Sequence, residues 1–137
     1  MSIEKFVDYT QILNKEYRIL LFEVKFAHPT PLQWTFVMNE FIENIRVLKN
    51  LDCKFAFVMD LKLIGIISTE YILEFIHILK SNSQLLEKKL IATSIIYEGV
   101  LINKMFDIIK MFYKTKKPLD FFPDMRKAIE FIDSNNV

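Results

Sequence analysis

Glycine is scarce in this chain: Gly65 and Gly99 are the only two among 137 residues. No glycine-rich loop can be drawn around a nucleotide phosphate, which excludes the commonest nucleotide-binding architectures. Cysteine is scarcer still, and Cys53 alone excludes an internal disulfide and any cysteine-rich zinc site. The two histidines, His28 and His77, have no partners at ligand spacing, so no metal centre is expected. An excess of either charge is also missing. Eighteen basic residues against seventeen acidic ones leave a formal net charge of +1, which provides no general electrostatic affinity for nucleic acid. Apolar runs are broken by charge before they reach the roughly 18 residues of a membrane span. The first residues, Met1-Ser2-Ile3-Glu4-Lys5, lack the charged-then-apolar pattern of a signal segment. A cytoplasmic protein with no cofactor is the expectation.

What the chain has is apolar and aromatic mass. Hydrophobic residues make up 52 %, with 13 Phe, 5 Tyr and 1 Trp. That supplies a packed interior and argues against disorder. No linker, repeat or low-complexity segment divides the sequence, so residues 1–137 read as a single domain.

The apolar spacing predicts an alternating order of elements. Lys5 to Leu13 and Tyr17 to Phe26 read as two strands joined by the Asn14-Lys15-Glu16 turn, an antiparallel hairpin. His28-Pro29-Thr30-Pro31 ends the sheet run. Thr30 is a helix N-cap, Pro31 takes the first helical position, and Gln33 completes a capping box. Trp34, Val37, Met38, Phe41, Ile45 and Leu48 then recur at three- and four-residue offsets as one buried stripe. Lys54 to Leu61 is nearly continuously apolar, which suits a central parallel strand covered on both faces. A second helix, capped by Ser68 or Thr69, turns Ile72, Phe75, Ile76 and Leu79 inward and ends near Ser81-Asn82-Ser83. Leu90 to Tyr97 is the next strand. A third helix runs from Val100 to Lys114, with Leu101, Met105, Ile108, Ile109 and Phe112 on one side. Leu119 to Phe122 is a short last strand, and Asp124 caps a final helix burying Met125, Ala128, Ile129 and Ile132. The order β-β-α-β-α-β-α-β-α predicts an α/β fold: one mixed, mostly parallel sheet of about five strands with about four helices.

This order, with three local patterns, resembles the STAS domain superfamily and its SpoIIAA-like branch. The patterns are a hydrophobic strand ending Phe57-Val58-Met59-Asp60-Leu61, a loop leading to the hydroxyl-bearing helix start Ile66-Ile67-Ser68-Thr69-Glu70, and the ending Lys117-Pro118-Leu119-Asp120-Phe121-Phe122 with Asp124 and Ala128-Ile129-Glu130-Phe131-Ile132. The resemblance implies a non-catalytic regulatory module working by protein–protein contact. In STAS anti-sigma-factor antagonists, a serine at the start of the helix after the Asp-ended strand is phosphorylated. The added charge changes the surface a partner meets. Aligned from Asp60 without gaps, that serine falls on Glu70 and the glycine after it on Tyr71. The nearby hydroxyls, Ser68 and Thr69, are therefore the candidate phospho-switch, with Asp60, Glu70 and Tyr71 as the candidate partner surface.

The same residues also have plainer readings. Ser68 and Thr69 cap a helix, Glu70 suits the helix dipole, and Asp60 bonds to nearby backbone. His77 falls on the outer side of its helix. A triad using Cys53 is disfavoured, because Cys53 starts a strand while α/β chemistry collects at strand C-termini. Lys114, Lys116 and Lys117, with Lys104 and Lys110, form a basic cluster that is first a solvated helix end, with contact to anionic lipid or a partner as the lesser reading. The apolar surplus around Phe106, Met111, Phe112, Tyr113, Phe121 and Phe122 serves the core first. A homodimer face or an apolar-ligand pocket would use it too, and SpoIIAA-like proteins are similar in fold to the Sec14-type lipid-binding domain. The second function class is therefore a small carrier of a lipid or other apolar ligand, which predicts an apolar cavity between sheet and helices.

Overall fold

Five runs dense in β-branched and aromatic residues pair into one sheet in the order β1-β2-β3-β4-β5. The strands are β1 (Val7–Leu13), β2 (Tyr17–Val24), β3 (Lys54–Asp60), β4 (Leu90–Ile96) and β5 (Leu119–Phe122). The helices are α1 (Pro31–Lys49), α2 (Thr69–Ser81), α3 (Ser83–Lys89), α4 (Leu101–Phe112) and α5 (Met125–Asn135). The structure, a computed structural model, describes residues 4–14, 16–97, 99, 101–112, 114 and 116–137. Val100 and Tyr113, and the side chains of Leu101, Met105, Ile108 and Phe112, which the sequence places along the third helix, lie outside the described residues.

β1 and β2 are antiparallel, with Val7 opposite Val24 and Leu13 opposite Arg18. Every later pairing is parallel. From β2 to β5 the chain always steps in the same direction across the sheet. Right-handed crossovers then put every connecting helix on one face. Trp34, Val37, Met38, Ile72, Ile76 and Phe106 accordingly share one apolar cluster there. Phe41, Ile45, Leu48 and Leu86 form its continuation over Phe55 and Phe57. α5 follows the last strand and is free of that constraint. It covers the opposite face, where Ala128 and Ile132 pack on Ala56, Val58, Ala92 and Ile96.

The two faces differ in side-chain size. Beneath α5 the sheet offers Ala56, Ala92 and Ser94, so the helix lies close. The Ser94 hydroxyl, fully buried, donates to the Ala128 carbonyl at 2.8 Å. On the other face β3 presents Phe55 and Phe57, with Met59 packed against the same side. Those bulky groups interleave with Phe22, Phe41 and Phe75, whose rings meet at 4.7 to 6.0 Å.

The capping box at the start of α1 forms as the sequence predicts. Gln33 N–H donates to Thr30 Oγ1 at 3.1 Å, and Thr30 N–H donates to Gln33 Oε1 at 2.9 Å. All six residues of the predicted α1 stripe are buried. The helix count differs: α3 makes a fifth helix where a plain connection is expected. α3 has seven residues, no side-chain cap, and only Leu86 fully buried, too little for a periodic signal. A helix that short forms only because tertiary packing holds it. Strand ends also differ slightly. β1 begins at Val7, after an exposed Lys5 that pairs with Glu40 at 3.2 Å, and β2 stops at Val24.

Two tyrosines tie helices to the sheet. Tyr9 Oη donates to the Val37 carbonyl at 3.0 Å, and Tyr17 Oη donates to the Asp133 carboxylate on α5. Burial, and then the Glu40 charge, push the Tyr9 phenol well above its ordinary range. Burial, and then the Asp133 hydrogen bond, do the same for Tyr17.

Two outcomes are expected. Thr30→Ala should cost about 1 kcal/mol in urea unfolding, the usual worth of an N-cap. Because both phenols hold their protons more tightly when folded, their contribution is complete below the ordinary tyrosine value near 10 and is lost as pH rises above it. The urea midpoint should therefore hold to about pH 9 and fall at higher pH. The Tyr9→Phe, Tyr17→Phe double variant should lose that alkaline decline.

Candidate functional site

Between β3 and α2 the chain crosses the C-terminal ends of the parallel strands, where α/β folds place ligand and partner sites. Leu61 is buried and its N–H donates to the Ile96 carbonyl at 2.9 Å, anchoring the loop to β4. Gly65 N–H donates to the Ala27 carbonyl at 2.8 Å, and His28 Nδ1–H donates to the Ile66 carbonyl at 3.0 Å. These bonds fasten the loop to the turn before α1. The approach there needs a glycine. A Cβ on Gly65 would stand 2.7 Å from His28 Cε1 and 3.1 Å from the Ala27 oxygen. Between the anchors two aliphatic side chains project into solvent, Leu63 at 59 % exposure and Ile66 at 68 %. Ile67, next to them, is buried.

The residues singled out in the sequence fall on both sides of this loop's surface. Ser68 is the N-cap of α2, and its Oγ accepts the Glu70 N–H at 3.2 Å. Ser68, Thr69 and Glu70 are exposed. Asp60 is turned inward, at 9 % exposure. Its Oδ1 accepts the Lys62 N–H at 3.2 Å and its Oδ2 lies 3.6 Å from Lys62 Nζ. Asp60 thus shapes the loop start, as the plainer reading has it, and offers little to a partner. Tyr71 is half-buried and stacked on Trp34, with ring centroids 4.7 Å apart, while Trp34 Nε1 donates to Glu74 at 2.9 Å. Of Asp60, Glu70 and Tyr71, only Glu70 is exposed, and the exposed apolar groups on the same loop are Leu63 and Ile66. His77 is exposed on α2, and Cys53 precedes β3 at the opposite end of the strand from Asp60.

The strand register also lines up three carboxylates, Asp8 opposite Glu23 and Glu23 opposite Asp60. Lys25 lies 2.9 Å from Glu23 and 3.8 Å from Asp8. The hydrogen bond to Glu23 holds the Lys25 ammonium above its ordinary range. Among the described residues no group of His, Cys, Asp and Glu is arranged to hold a metal ion.

On the multi-helix face the sheet and helices enclose an apolar cavity of about 120 Å³. It extends from Trp34, Leu61 and Ile64 at one end to Leu86 and Leu90 at the other. Thr93 is the one polar residue type among the described lining residues. Beside it lies a second depression of about 220 Å³, walled by Lys80, Ser83, Leu86, Glu87, Leu90, Lys114, Lys116 and Lys117. Sequence reading predicts the basic cluster near Lys114 and a cavity for the carrier class. It does not bring the two together, because Leu86 and Lys80 come from the α2–α3 region and the other lysines from the approach to β5.

No protein-family model and no curated protein matches this sequence. Solved structures do. One is an uncharacterized protein of the DUF3478 family with a SpoIIAA-like fold from Shewanella loihica PV-4, 14 % identical, with a TM-score of 0.67 over 96 % of this chain and 98 % of that one. Another is an anti-sigma factor antagonist from Mycobacterium paratuberculosis, 11 % identical, with a TM-score of 0.52 over 97 % and 99 %. The fold is SpoIIAA-like, as the element order and the Asp60 and Asp124 regions suggest. No helix among the described residues is long and apolar enough to cross a membrane.

The glycine contact makes a direct test of the loop's anchoring. Gly65→Ala should cost about 1–2 kcal/mol in chemical denaturation, the scale of mild overpacking. Amide exchange should speed up at Gly65 before it does in β3. An unchanged stability would mean the loop is not held against the Ala27–His28 turn.

Proposed function

We propose that this protein is a non-catalytic regulatory module that acts by binding another protein through the β3–α2 loop and the start of α2. The observation that carries this reading is the pair Leu63 and Ile66, exposed on a loop whose backbone is tied down at Leu61, Gly65 and Ile66. An aliphatic pair presented on a braced loop costs little to order on binding, and covering it removes exposed apolar surface from water. The likeness of the fold to an anti-sigma factor antagonist supports the class. Ser68 and Thr69 border the pair, and a phosphate on either would add nearly two negative charges beside Glu70. The added charge would repel an apolar or acidic partner face and favour a basic one. In this reading the protein works in the cytoplasm, by itself or as a homodimer.

A second reading rests on the cavity. An apolar space of about 120 Å³ under four helices is of the order of the ~150 Å³ dry cavity that accepts benzene, so the same fold would hold an apolar ligand.

A photo-reactive residue in place of Ile66, introduced in the host that encodes the protein, should yield one discrete cross-linked partner. Leu63→Glu should abolish it while leaving the circular dichroism unchanged. Cross-linking that survives Leu63→Glu, or that yields only the free chain, overturns the loop as the contact. Peptide mapping of the same material reports phosphate on Ser68 or Thr69. For the second reading, native mass spectrometry should show a bound molecule that is lost on denaturation.

A further inference from the structure

We infer that the cavity's ligand is a single-chain anionic amphiphile, its aliphatic chain lying along the strands and its head group seated on Lys80, Lys114 and their neighbours. This rests on the second reading above, that the cavity holds an apolar ligand, and assigns that ligand a chemistry and an orientation.

The volume of the cavity selects a single short chain. Its walls follow the chain from Phe57 on β3 to Leu61 just beyond it, while its volume is only about 120 Å³. A space of that size, comparable with the ~150 Å³ that accepts benzene, admits one short chain and leaves no room for a second tail or a fused ring system. Among the described residues the wall is apolar apart from Thr93. A charged or strongly polar head buried within it would lose its hydration without compensation, so the head group must lie at one end.

The charges at the two ends differ. Near Trp34 two carboxylates lie on α2: Glu74 accepts from the Trp34 indole, and Glu70 is exposed one turn earlier. An anion is disfavoured there. At the other end Leu86 and Leu90 belong to both the cavity wall and the wall of the basic depression. Two leucine side chains are thus shared between an apolar interior and a pocket with four lysines and one glutamate, a net of +3. Glu87 engages Lys116 at 2.8 Å. Among the described residues, Lys80 and Lys114 form no ion pair. A helix C-terminus favours a cation in its last turn, which accounts for a lysine such as Lys80. It does not account for four lysines from two separate parts of the chain converging on the mouth of an apolar cavity. A carboxylate or phosphate on a single chain matches both halves of the site, because the shared leucines would seat the first carbons of the chain.

The test is titration calorimetry of the full chain, at ligand concentrations below micelle formation. The probes are hexanoate and hexyl phosphate, with hexanol as the uncharged chain and hexyltrimethylammonium as the cationic one. Both anions should bind more tightly than hexanol, and hexanol more tightly than the cation. The ratio of hexanoate to hexyl phosphate tells which head the pocket prefers. The Lys80→Ala, Lys114→Ala variant, both exposed positions that do not threaten folding, should weaken the anions by about tenfold and leave hexanol unchanged. Added salt should weaken the anions alone. If hexanol and hexanoate bind equally and the lysine variant changes neither, the head-group assignment is overturned while the apolar-ligand reading stands. If no chain binds, both fall.

Discussion

Three adjacent strands, β2, β3 and β4, carry apolar residues on both sides and cannot be left bare on either. This double burial is the constraint from which the rest of the structure follows. Parallel strands must be joined by crossovers, and crossovers that all step the same way across a sheet deliver their helices to one face. α1, α2 and α4 are crowded onto that face, and the other would stay wet without α5. The terminal helix is thus part of the core, as the complete burial of Ala128 and Ile132 shows.

The two faces are finished differently, and the difference bears on function. Small residues at Ala56, Ala92 and Ser94 let α5 settle close to the sheet. On the other face Phe55 and Phe57 hold the helices farther out, and aromatic rings fill most of the space between. The apolar cavity lies among those rings, lined by Phe22, Phe41, Phe57 and Phe75. A candidate binding space is therefore a consequence of how β3 distributes large and small residues between its two faces.

The exposed corner has a related origin. Parallel strands end together, so their loops gather on one edge, and the short backbone bonds from Leu61, Gly65 and Ile66 brace the β3–α2 loop against its neighbours. Bracing fixes Asp60 inward and Leu63 and Ile66 outward. The carboxylate singled out in the sequence therefore supports the loop, and the exposed surface is formed by two residues with no motif of their own.

Local rules made much of this legible in the sequence. The Thr30–Gln33 capping box, the six-residue stripe of α1 and the run from Lys54 to Asp60 all depend on neighbours within a few residues, so spacing alone reveals them. The direction of the sheet follows from the alternation of strands and helices. α3 was not legible, since Leu86 earns its helix by packing on distant strands. Nor were the carboxylate row of Asp8, Glu23 and Asp60, the shared walls at Leu86 and Leu90, or the inward turn of Asp60. Each joins residues tens of positions apart, and which of them meet depends on strand register and on how closely a helix can approach a sheet. The sequence by itself determined the order and kind of most elements and the SpoIIAA-like class of fold. Only the tertiary structure decided which side chains face solvent and where a cavity opens, because those are properties of packed surfaces rather than of local spacing.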